Sequence, residues 1–351
     1  MFFIYRLVCQ KNWIYLENIF DSQDIKKKLV AESSQFENVD KNFRNKMVKT
    51  NQMRLVHKCV TPDIGKIFKK QKETLNNIQK ALENYLELKR TSFPRFYFLS
   101  NDELLEILAN AANLNAIQKH MKKCFDNIYR LYMGDDNKTS TMISGMISGE
   151  GEKVEFYKPI STRSGEIELW LNGVQDQMRE TISKKMRIGR NDLDSKDLKD
   201  RKKWVLDHPG QVIATISHIS WCINTEEVLE QIVDSPAALF EWLNINVLQL
   251  GQLTELVRSN LDPIKHKIVV ALITQDVHAR DILEMMVNEG VMTKGDFMWQ
   301  QQLRYYWDEG GEKENVYVLQ VNAKLKYGYE YMGATSRLVL IISPLSNLIN
   351  I

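Results

Sequence analysis

Apolar residues recur every three or four positions over most of the chain, and this spacing constrains the fold more than any other feature of the sequence. It predicts amphipathic helices, because an α-helix brings residues three and four apart onto one face. The most regular example follows Pro263 and carries Ile264, Ile268, Leu272, Ala279, Ile282 and Met286. Similar spacing runs from about Asp63 to Lys89, over residues 167–182, after Pro209 and after Ser235. With only seven prolines and sixteen glycines in 351 residues, long helices are the expected architecture.

A two-residue period replaces the helical spacing in two regions, and this period is typical of β-strands. Residues 153–158 alternate between apolar and charged side chains and predict a short strand. Alternation over residues 316–321, and again over 327–331, predicts two strands joined by a turn. The apolar run 338–342, which stops before Pro344, predicts a further strand.

Three further helices are predicted from caps and faces. Ser100 and Glu103 have the spacing of a capping box and are expected to open a short helix. A helical face reaching residue 131 is predicted from Ile117, Met121, Cys124, Phe125, Ile128 and Leu131. Asp296 is expected to cap a last helix that carries Trp299, Leu303, Tyr306 and Trp307.

Together these patterns predict a mainly α fold, with elongated multi-helix bundles, short strands and a small β-containing segment at the C-terminus. We divide the chain into two helical parts, residues 1–133 and 134–290, with the strand near 153–158 in the second. Residues 291–351 form the third part, where strands follow the last helix.

The composition argues against several partners. Lys and Arg number 47 and Asp and Glu number 45, so the net charge of +2 provides no excess for binding nucleic acid. Residues 191–203 are almost wholly charged but mixed in sign, which favours a solvated connection over a binding patch. The cysteines lie too far apart for metal-ligand spacing and are expected to be reduced and mostly buried: Cys9, Cys59, Cys124 and Cys222.

The apolar N-terminus is expected to be neither a signal peptide nor a membrane anchor. Arg6 and Lys11 interrupt its apolar residues, and no small-residue cleavage site follows. The run 338–342 has five apolar residues, far below the ~18 that cross a bilayer. We therefore expect no membrane partner, and we expect a cytoplasmic location.

No catalytic or metal-binding motif stands out. A phosphate-binding loop requires Gly, four residues, then Gly-Lys-Ser or Gly-Lys-Thr, and this string is absent. The nearest glycine-rich string, GMISGEGEK over residues 145–153, has other spacing and is interpreted as a flexible turn. Ser217 and His218 are adjacent on a predicted helix and diverge, so they form no nucleophile and base pair. The 45 acidic residues leave two-carboxylate chemistry open, but nothing selects a pair.

His278 lies between Asp276 and Asp281 and is the only histidine that suggests a metal site or a general base. Residues two apart on a helix point to different sides, so Asp276 and His278 cannot hold one ion together. Asp281 is instead expected to accept a hydrogen bond from the His278 ring. A small metal-dependent hydrolase around His278 is kept as a minor alternative.

Aromatic residues cluster at two places, and both clusters are interpreted as packing surfaces rather than base-stacking platforms, because few basic residues accompany them. The members are Phe93, Phe96, Tyr97 and Phe98, and later Trp299, Tyr305, Tyr306 and Trp307.

Several long strings resemble dynein heavy chains. They are FPRFYFLSNDELLEIL (93–108), HPGQVIATISHISW (208–221), ALITQDVHARDIL (271–283), QLRYYWDEG (302–310) and YGYEYMGATSRLVL (327–340), and the opening WIYLENIFDSQDI (13–25) looks like an upstream part of the same region. The matches are collinear over nearly the whole chain. The FLSNDELLEIL and HPGQV forms look more like the axonemal branch of the family than the cytoplasmic one.

The resemblance implies a mechanical role. Residues up to about 290 would form the C-terminal part of the linker, a helical lever that lies across a ring of ATPase modules and drives movement along microtubules. Residues 291–351 would form an incomplete start of the first AAA+ module. The joint between lever and ring is expected at Gln302, Leu303, Arg304, Tyr305, Tyr306 and Trp307.

The resemblance also implies where nucleotide would bind. ATP and Mg²⁺ would be cofactors of the parent motor, and this chain alone is expected to bind none and to hydrolyse no ATP. Near the nucleotide pocket the family has a Thr-Pro-Leu-Thr-Asp-Arg-Cys type of segment. Here Ser343, Pro344 and Leu345 keep part of it, and the Asp-Arg-Cys that should follow is absent.

The partners implied are the rest of the motor ring and other dynein chains, intermediate or light, with microtubules contacted only through other parts of the motor. The implied location is the cytoskeleton, in a cilium or axoneme. The alternative is a non-motor helical scaffold, or a truncated product of a dynein gene, that binds partner proteins without producing force.

Overall fold

The computed structural model describes residues 2–53, 55, 59, 62–111, 113–134, 141–163, 166–194, 201–310 and 315–333. Two compact units divide the chain. Unit 1 comprises Met1–Cys124 and Thr162–Asn172, and unit 2 comprises Phe125–Ser161 and Gly173–Ile351. The predicted fold class, mainly α with short strands, is confirmed. The three-part division at residues 133 and 290 stays a prediction.

Helices form the described part of unit 1. They are α1 (Phe2–Phe20), α2 (Gln23–Lys28), α3 (Val30–Met53), α4 (Pro62–Ser92), a 3₁₀ helix (Pro94–Phe98), α5 (Asn101–Ala109) and α6 (Leu114–Cys124). Helix α4 packs against α1 and α3 and buries the predicted apolar stripe, including Leu75, Ile78 and Leu82. The predicted capping box is confirmed: Ser100 Oγ accepts the N–H of Glu103, and the Glu103 carboxylate accepts the N–H of Ser100.

Unit 2 combines helices with two three-stranded sheets. Its elements are β1 (Arg130–Tyr132), β2 (Met142–Ile147), β3 (Lys153–Ser161), α7 (Ile167–Asp194, from residue 173), α8 (Arg201–Asp207), α9 (Gly210–Gln231), α10 (Ala238–Val257), α11 (Pro263–Asn288), α12 (Phe297–Gln300), β4 (Arg304–Trp307), β5 (Val316–Gln320) and β6 (Ala323–Lys326). Helices α9 to α12 enclose an apolar core that contains Trp221, Cys222, Trp242, Leu283, Met286 and Trp299.

The first sheet is antiparallel in the order β1-β2-β3. The predicted strand at 153–158 is confirmed within β3, and Pro159 is tolerated because β3 lies at the edge of the sheet. The helical face predicted to reach residue 131 is wrong, since α6 ends at Cys124. Leu131 instead pairs with Met146 across β1 and β2. Both arrangements bury Leu131, so its apolar character alone could not distinguish them.

The second sheet is antiparallel in the order β4-β5-β6 and overturns two predictions. The last helix stops at Gln300, and residues 304–307 form a strand paired with β5. Three consecutive aromatic residues favour this strand, because aromatic side chains pack well on a pleated sheet. The third strand is Ala323–Lys326 and not 327–331, which runs on without strand pairing. The strand predicted at 338–342 lies outside the described residues.

Among the described residues, no helix is long and apolar enough to cross a membrane. The four cysteines are free thiols; Cys9, Cys124 and Cys222 are buried and Cys59 is half-buried, which confirms the prediction from their spacing.

Candidate functional site

Of the residues predicted as a joint, 302–307, three make hydrogen bonds to one face of helix α9. Leu303 O accepts a hydrogen bond from His218 Nε2 at 2.8 Å. The N–H of Tyr305 donates to Cys222 Sγ at 3.4 Å, and the hydroxyl of Tyr306 donates to Glu226. Positions 218, 222 and 226 are four residues apart and therefore lie on one face of α9. This face binds Leu303, Tyr305 and Tyr306. We call residues 302–307 and this helix face the α9–β4 joint.

Glu226 is the centre of the α9–β4 joint. Its Oε1 accepts a hydrogen bond from Trp299 Nε1 at 3.1 Å, in addition to the one from the Tyr306 hydroxyl. An Arg304 guanidinium nitrogen lies 3.8 Å from the same oxygen, and Lys294 Nζ lies 3.7 Å from Oε2. Burial and the bond to Glu226 raise the pKa of Tyr306 far above its ordinary range, so the phenol stays protonated and donates.

Arg304 is a buried cation with two partners. Its side chain is 7% exposed, and besides Glu226 it reaches the carbonyl of Val321 at 3.3 Å. Val321 has a φ of 51°, which is unfavourable for a β-branched residue. Its N–H donates to Gln300 O at 2.8 Å, so Arg304 of the joint and the last residue of α12 hold both backbone polar groups of Val321.

The remaining joint residues pack at its margins. The Gln302 side chain donates to Met298 O at 3.1 Å and satisfies a carbonyl near the end of α12. The Tyr306 ring stacks on Tyr317 of the neighbouring strand, 5.4 Å between centroids. The Trp307 ring is half-buried under the Arg190 guanidinium, 5.0 Å away. Trp307 therefore lies at the edge of the α9–β4 joint and is partly exposed to solvent. Trp299, which binds Glu226 of the joint, is fully buried.

The tyrosine-rich segment 327–333 is attached near the first turns of α9. The Gln211 side chain donates to the Tyr327 hydroxyl and to Glu330 O, both at 2.8 Å, and accepts the N–H of Met332 at 2.9 Å. Thr215 Oγ1 lies 3.1 Å from the Tyr327 hydroxyl. A single amide side chain thus fixes three points of the segment.

Glu152 connects the same segment to the first sheet. Its Oε1 accepts the N–H of Gly210 at 2.7 Å, where a negative charge is favoured by the exposed N–H groups at a helix start. Its Oε2 accepts the hydroxyl of Tyr331 at 2.8 Å. Glu152 is 6% exposed and Tyr331 is fully buried. The glycine-rich string 145–153 therefore forms the end of β2 and a hairpin turn that presents a buried carboxylate.

Asn127 holds the end of the segment. Its Nδ2 donates to Met332 O at 2.6 Å and to Glu150 at 3.0 Å. Gly333 has a φ of +64°, and a Cβ added there would lie 2.6 Å from the Asn127 Nδ2. Glycine is thus the residue that fits this position.

His278 does not behave as predicted. Asp281 Oδ1 accepts hydrogen bonds from Arg280, and within the described ranges the His278 ring makes no hydrogen bond to Asp281. Asp276 instead pairs with Arg201 at 2.9 Å. No group of three His, Cys, Asp or Glu side chains in the part of the chain that the structure describes could hold a metal ion. Ser343, Pro344 and Leu345 lie outside that part.

Sequence reasoning missed Glu226, Glu152 and Gln211, whose side chains bind residues of β4 and of segment 327–333. Glu226 had a signal, because it lies seven residues after Ile219 and continues the apolar stripe of α9 with a carboxylate. A charge at a stripe position indicates a buried partner. For Glu152, which lies in a turn, no periodicity could have given such a signal.

The stability of unit 2 is expected to depend on pH through His218. Desolvation lowers the pKa of its ring from 6.5 to about 4. Between these pH values His218 binds more protons in the unfolded state than in the folded state. The free energy of unfolding, which has its full value above pH 6.5, therefore decreases as the pH falls toward 4. The expected loss is roughly 2–3 kcal/mol. His218→Gln keeps an N–H donor but cannot titrate, so its urea-unfolding free energy should fall less over this interval. Equal slopes for both proteins would contradict this assignment.

Comparisons with known proteins agree with the resemblance seen in the sequence. The family model for dynein heavy chain, N-terminal region 2, matches residues 5–188, which is more than half of the chain. Dynein axonemal heavy chain 6 of Homo sapiens is 40% identical over 359 residues, and dynein axonemal heavy chain 2 of Mus musculus is 39% identical over 349. The dynein-1-beta heavy chain of the flagellar inner arm I1 complex of Chlamydomonas reinhardtii is 40% identical over 347 residues.

Each of these alignments covers 97% of this chain and 8% of the relative. The chain therefore spans about 8% of the length of the curated relatives that it matches. Because the family model covers more than half of the chain and axonemal relatives align with nearly all of it, the chain belongs to the dynein heavy chain family.

Proposed function

We propose that this chain is a lever segment, the C-terminal part of the linker, of an axonemal dynein heavy chain. It transmits the conformational change of the ATPase ring to movement along microtubules. The observation that carries the proposal is the α9–β4 joint, in which Glu226 binds Trp299, Tyr306 and Arg304 at the place where helices give way to strands.

A lever must resist deformation where it is attached. Separating β4 from α9 would remove the carboxylate of Glu226 from the buried guanidinium of Arg304 and from the hydroxyl of Tyr306, and this costs several kcal/mol. Surface ion pairs, worth about 0–1 kcal/mol, would yield under much smaller forces. The burial of Arg304, with 7% of its side chain exposed, therefore suits a load-bearing contact.

The second attachment is made by segment 327–333, which follows the last strand of the second sheet, β6. Glu152 and Gln211 hold segment 327–333 against the start of α9, through Tyr331, Tyr327 and two backbone groups of the segment. Strand β4 and segment 327–333 are thus fixed to the same helix at different turns. Two attachments on one helix resist rotation as well as separation, as a lever joint requires.

Long helices suit the same role. Helix α4 has 31 residues and α11 has 26, which at 1.5 Å per residue corresponds to roughly 47 Å and 39 Å. Their apolar stripes are packed within their own units. In both helices proline stands only at the first position, and an internal proline is a main cause of sharp kinks in long helices.

The remaining functions of a dynein belong to the whole motor in this proposal. ATP and Mg²⁺ are bound by the ring, microtubules are contacted through other parts of the heavy chain, and other dynein chains complete the assembly. The location proposed is the axoneme of a cilium or flagellum, supported by relatives described as axonemal and flagellar.

A segment exchange tests the proposal. Residues 1–333 replace the matching segment of the Chlamydomonas reinhardtii dynein-1-beta heavy chain, and microtubule gliding by the purified motor is recorded with ATP. We expect the exchanged motor to move microtubules at a speed comparable to the parent, and a motor lacking the segment to move none. An exchanged motor that hydrolyses ATP at the parent rate without moving microtubules would contradict the lever role and favour a scaffold.

A further inference from the structure

Unit 2 contains a cavity of about 210 Å³ beside the joint, and this cavity is open to solvent on one side. Its lining includes Ala214 and His218 of helix α9, Gln275 and His278 of helix α11, and the rings of Tyr305 and Tyr327. Most of the lining is apolar, with a few polar atoms among rings, as in many small-molecule sites. An engineered cavity of about 150 Å³ binds benzene, so this volume admits one or two fused rings.

The hydrogen bond of His218 defines its tautomer. Leu303 O can only accept, so His218 Nε2, 2.8 Å away, carries the proton. In the neutral ring Nδ1 is then an acceptor. Desolvation lowers the pKa of His218 to about 4, so the ring is neutral at pH 7. Within the described ranges Nδ1 has no hydrogen-bond partner, although the ring lines the cavity.

Two further polar groups of the cavity are free to bind. Gln275 Nε2 donates to Ala214 O at 2.9 Å, and this leaves Gln275 Oε1 as an acceptor. The His278 ring makes no hydrogen bond in the described part of the chain, and burial lowers its pKa, so it is also neutral at pH 7. The cavity therefore presents two acceptors, His218 Nδ1 and Gln275 Oε1, beside uncharged rings.

The charge of the lining selects against anions. Both imidazoles are neutral, so a carboxylate or phosphate would lose its hydration without gaining a cation. Glu330 also lines the cavity and would repel an anion. The Tyr305 ring lies edge-on to the His218 ring, 4.8 Å between centroids, and 6.3 Å from Tyr327, which suits contact with a flat ligand.

We propose that this cavity binds an uncharged, planar ring compound of one or two fused rings, which donates an N–H or O–H hydrogen bond to Nδ1 of His218. The proposal goes beyond the lever role and does not depend on it.

Ligand titration of the full chain tests the hydrogen bond. The probes are indole, 1-methylindole, which lacks the N–H donor, and benzoate, which is an anion of similar size. We expect saturable binding of indole, binding of 1-methylindole about five- to tenfold weaker, and none of benzoate. The ¹⁵N resonance of His218 Nδ1 should shift with indole and not with 1-methylindole. Equal affinity for the two indoles, or no saturable binding of either, would overturn the proposal.

A filled cavity tests the location. Ala214→Leu adds side-chain volume inside the cavity on a helix that accommodates leucine well. Ala237→Leu makes the same change at an exposed position and is the matched control. Indole binding should be lost in the first variant and unchanged in the second, with both proteins retaining the parent circular-dichroism spectrum. Binding by Ala214→Leu with the parent affinity would show that indole binds elsewhere.

Discussion

Glu226→Ala is expected to destabilise the folded chain by about 3–5 kcal/mol, the range observed when one partner of a buried ion pair is removed. The substitution leaves the guanidinium of Arg304 desolvated, with the Val321 carbonyl as its remaining partner. It also leaves the Trp299 N–H and the Tyr306 hydroxyl without their acceptor. Each orphaned buried donor adds to the cost. Urea unfolding followed by circular dichroism measures the change.

The neighbouring glutamate provides the control. Glu227 is exposed on the same helix, and Glu227→Ala should change the unfolding free energy by no more than about 0.5 kcal/mol. A double-mutant cycle with Tyr306→Phe isolates the hydroxyl bond, and a non-zero coupling energy is expected because the two side chains are in contact. Equal effects of the Glu226 and Glu227 substitutions would mean that the joint is not held by Glu226.

Trp299→Ala should cost about 3–5 kcal/mol, as large-to-small changes of buried aromatic residues do. Trp299 is fully buried in the core of helices α9 to α12, and its ring packs 5.3 Å from that of Trp221. Truncation leaves a cavity and removes one of the hydrogen bonds that Glu226 accepts. Urea unfolding of the purified variant measures this loss.

Trp307→Ala is the matched comparison for the Trp299 variant. The half-buried ring of Trp307 contacts Arg190, and such cation–π contacts are worth about 0.5–2 kcal/mol. The loss should therefore be clearly smaller than that of Trp299→Ala. A larger loss for Trp307→Ala would place the core of the joint on the other side of β4.

The long helices were predictable because their signal accumulates over many turns. Helices α4 and α11 repeat their apolar positions over 31 and 26 residues, and both begin within one residue of the predicted start. The capping box at Ser100 and Glu103 was predictable for a different reason, since both hydrogen bonds form between residues three apart.

The strands of the joint were harder to predict from local pattern. Leu303, Tyr306 and Trp307 have helical spacing from Trp299, but residues 304–307 pair with residues 316–319, and this pairing depends on sequence 9 to 15 positions away. The pairing with β5 therefore determined the structure of residues 304–307, and their helical spacing did not. The short segment 327–331 alternates like a strand, yet its tyrosine hydroxyls bind side chains and backbone of distant elements instead of a neighbouring strand.

The role of residues 302–307 as a joint between lever and ring comes from the resemblance to dynein heavy chains and stays a prediction. The structure shows that helix α12 ends just before this string and that strand β4 begins within it. The carboxylates that hold it, Glu226 and Glu152, are supplied by a helix and a hairpin turn far away in sequence. Such contacts follow from the tertiary fold, and a single sequence without that fold does not specify them.

The ratio of microtubule sliding speed to ATP turnover tests the lever proposal most directly. It is measured for three exchanged motors, which carry residues 1–333 of this chain without substitution, with Glu226→Ala or with Glu227→Ala. A weakened α9–β4 joint should lower the ratio several-fold in Glu226→Ala while ATP turnover is retained, because hydrolysis continues but less of the displacement reaches the lever. Glu227→Ala should keep the parent ratio. An unchanged ratio in a destabilised Glu226→Ala motor would contradict the claim that this joint carries the load.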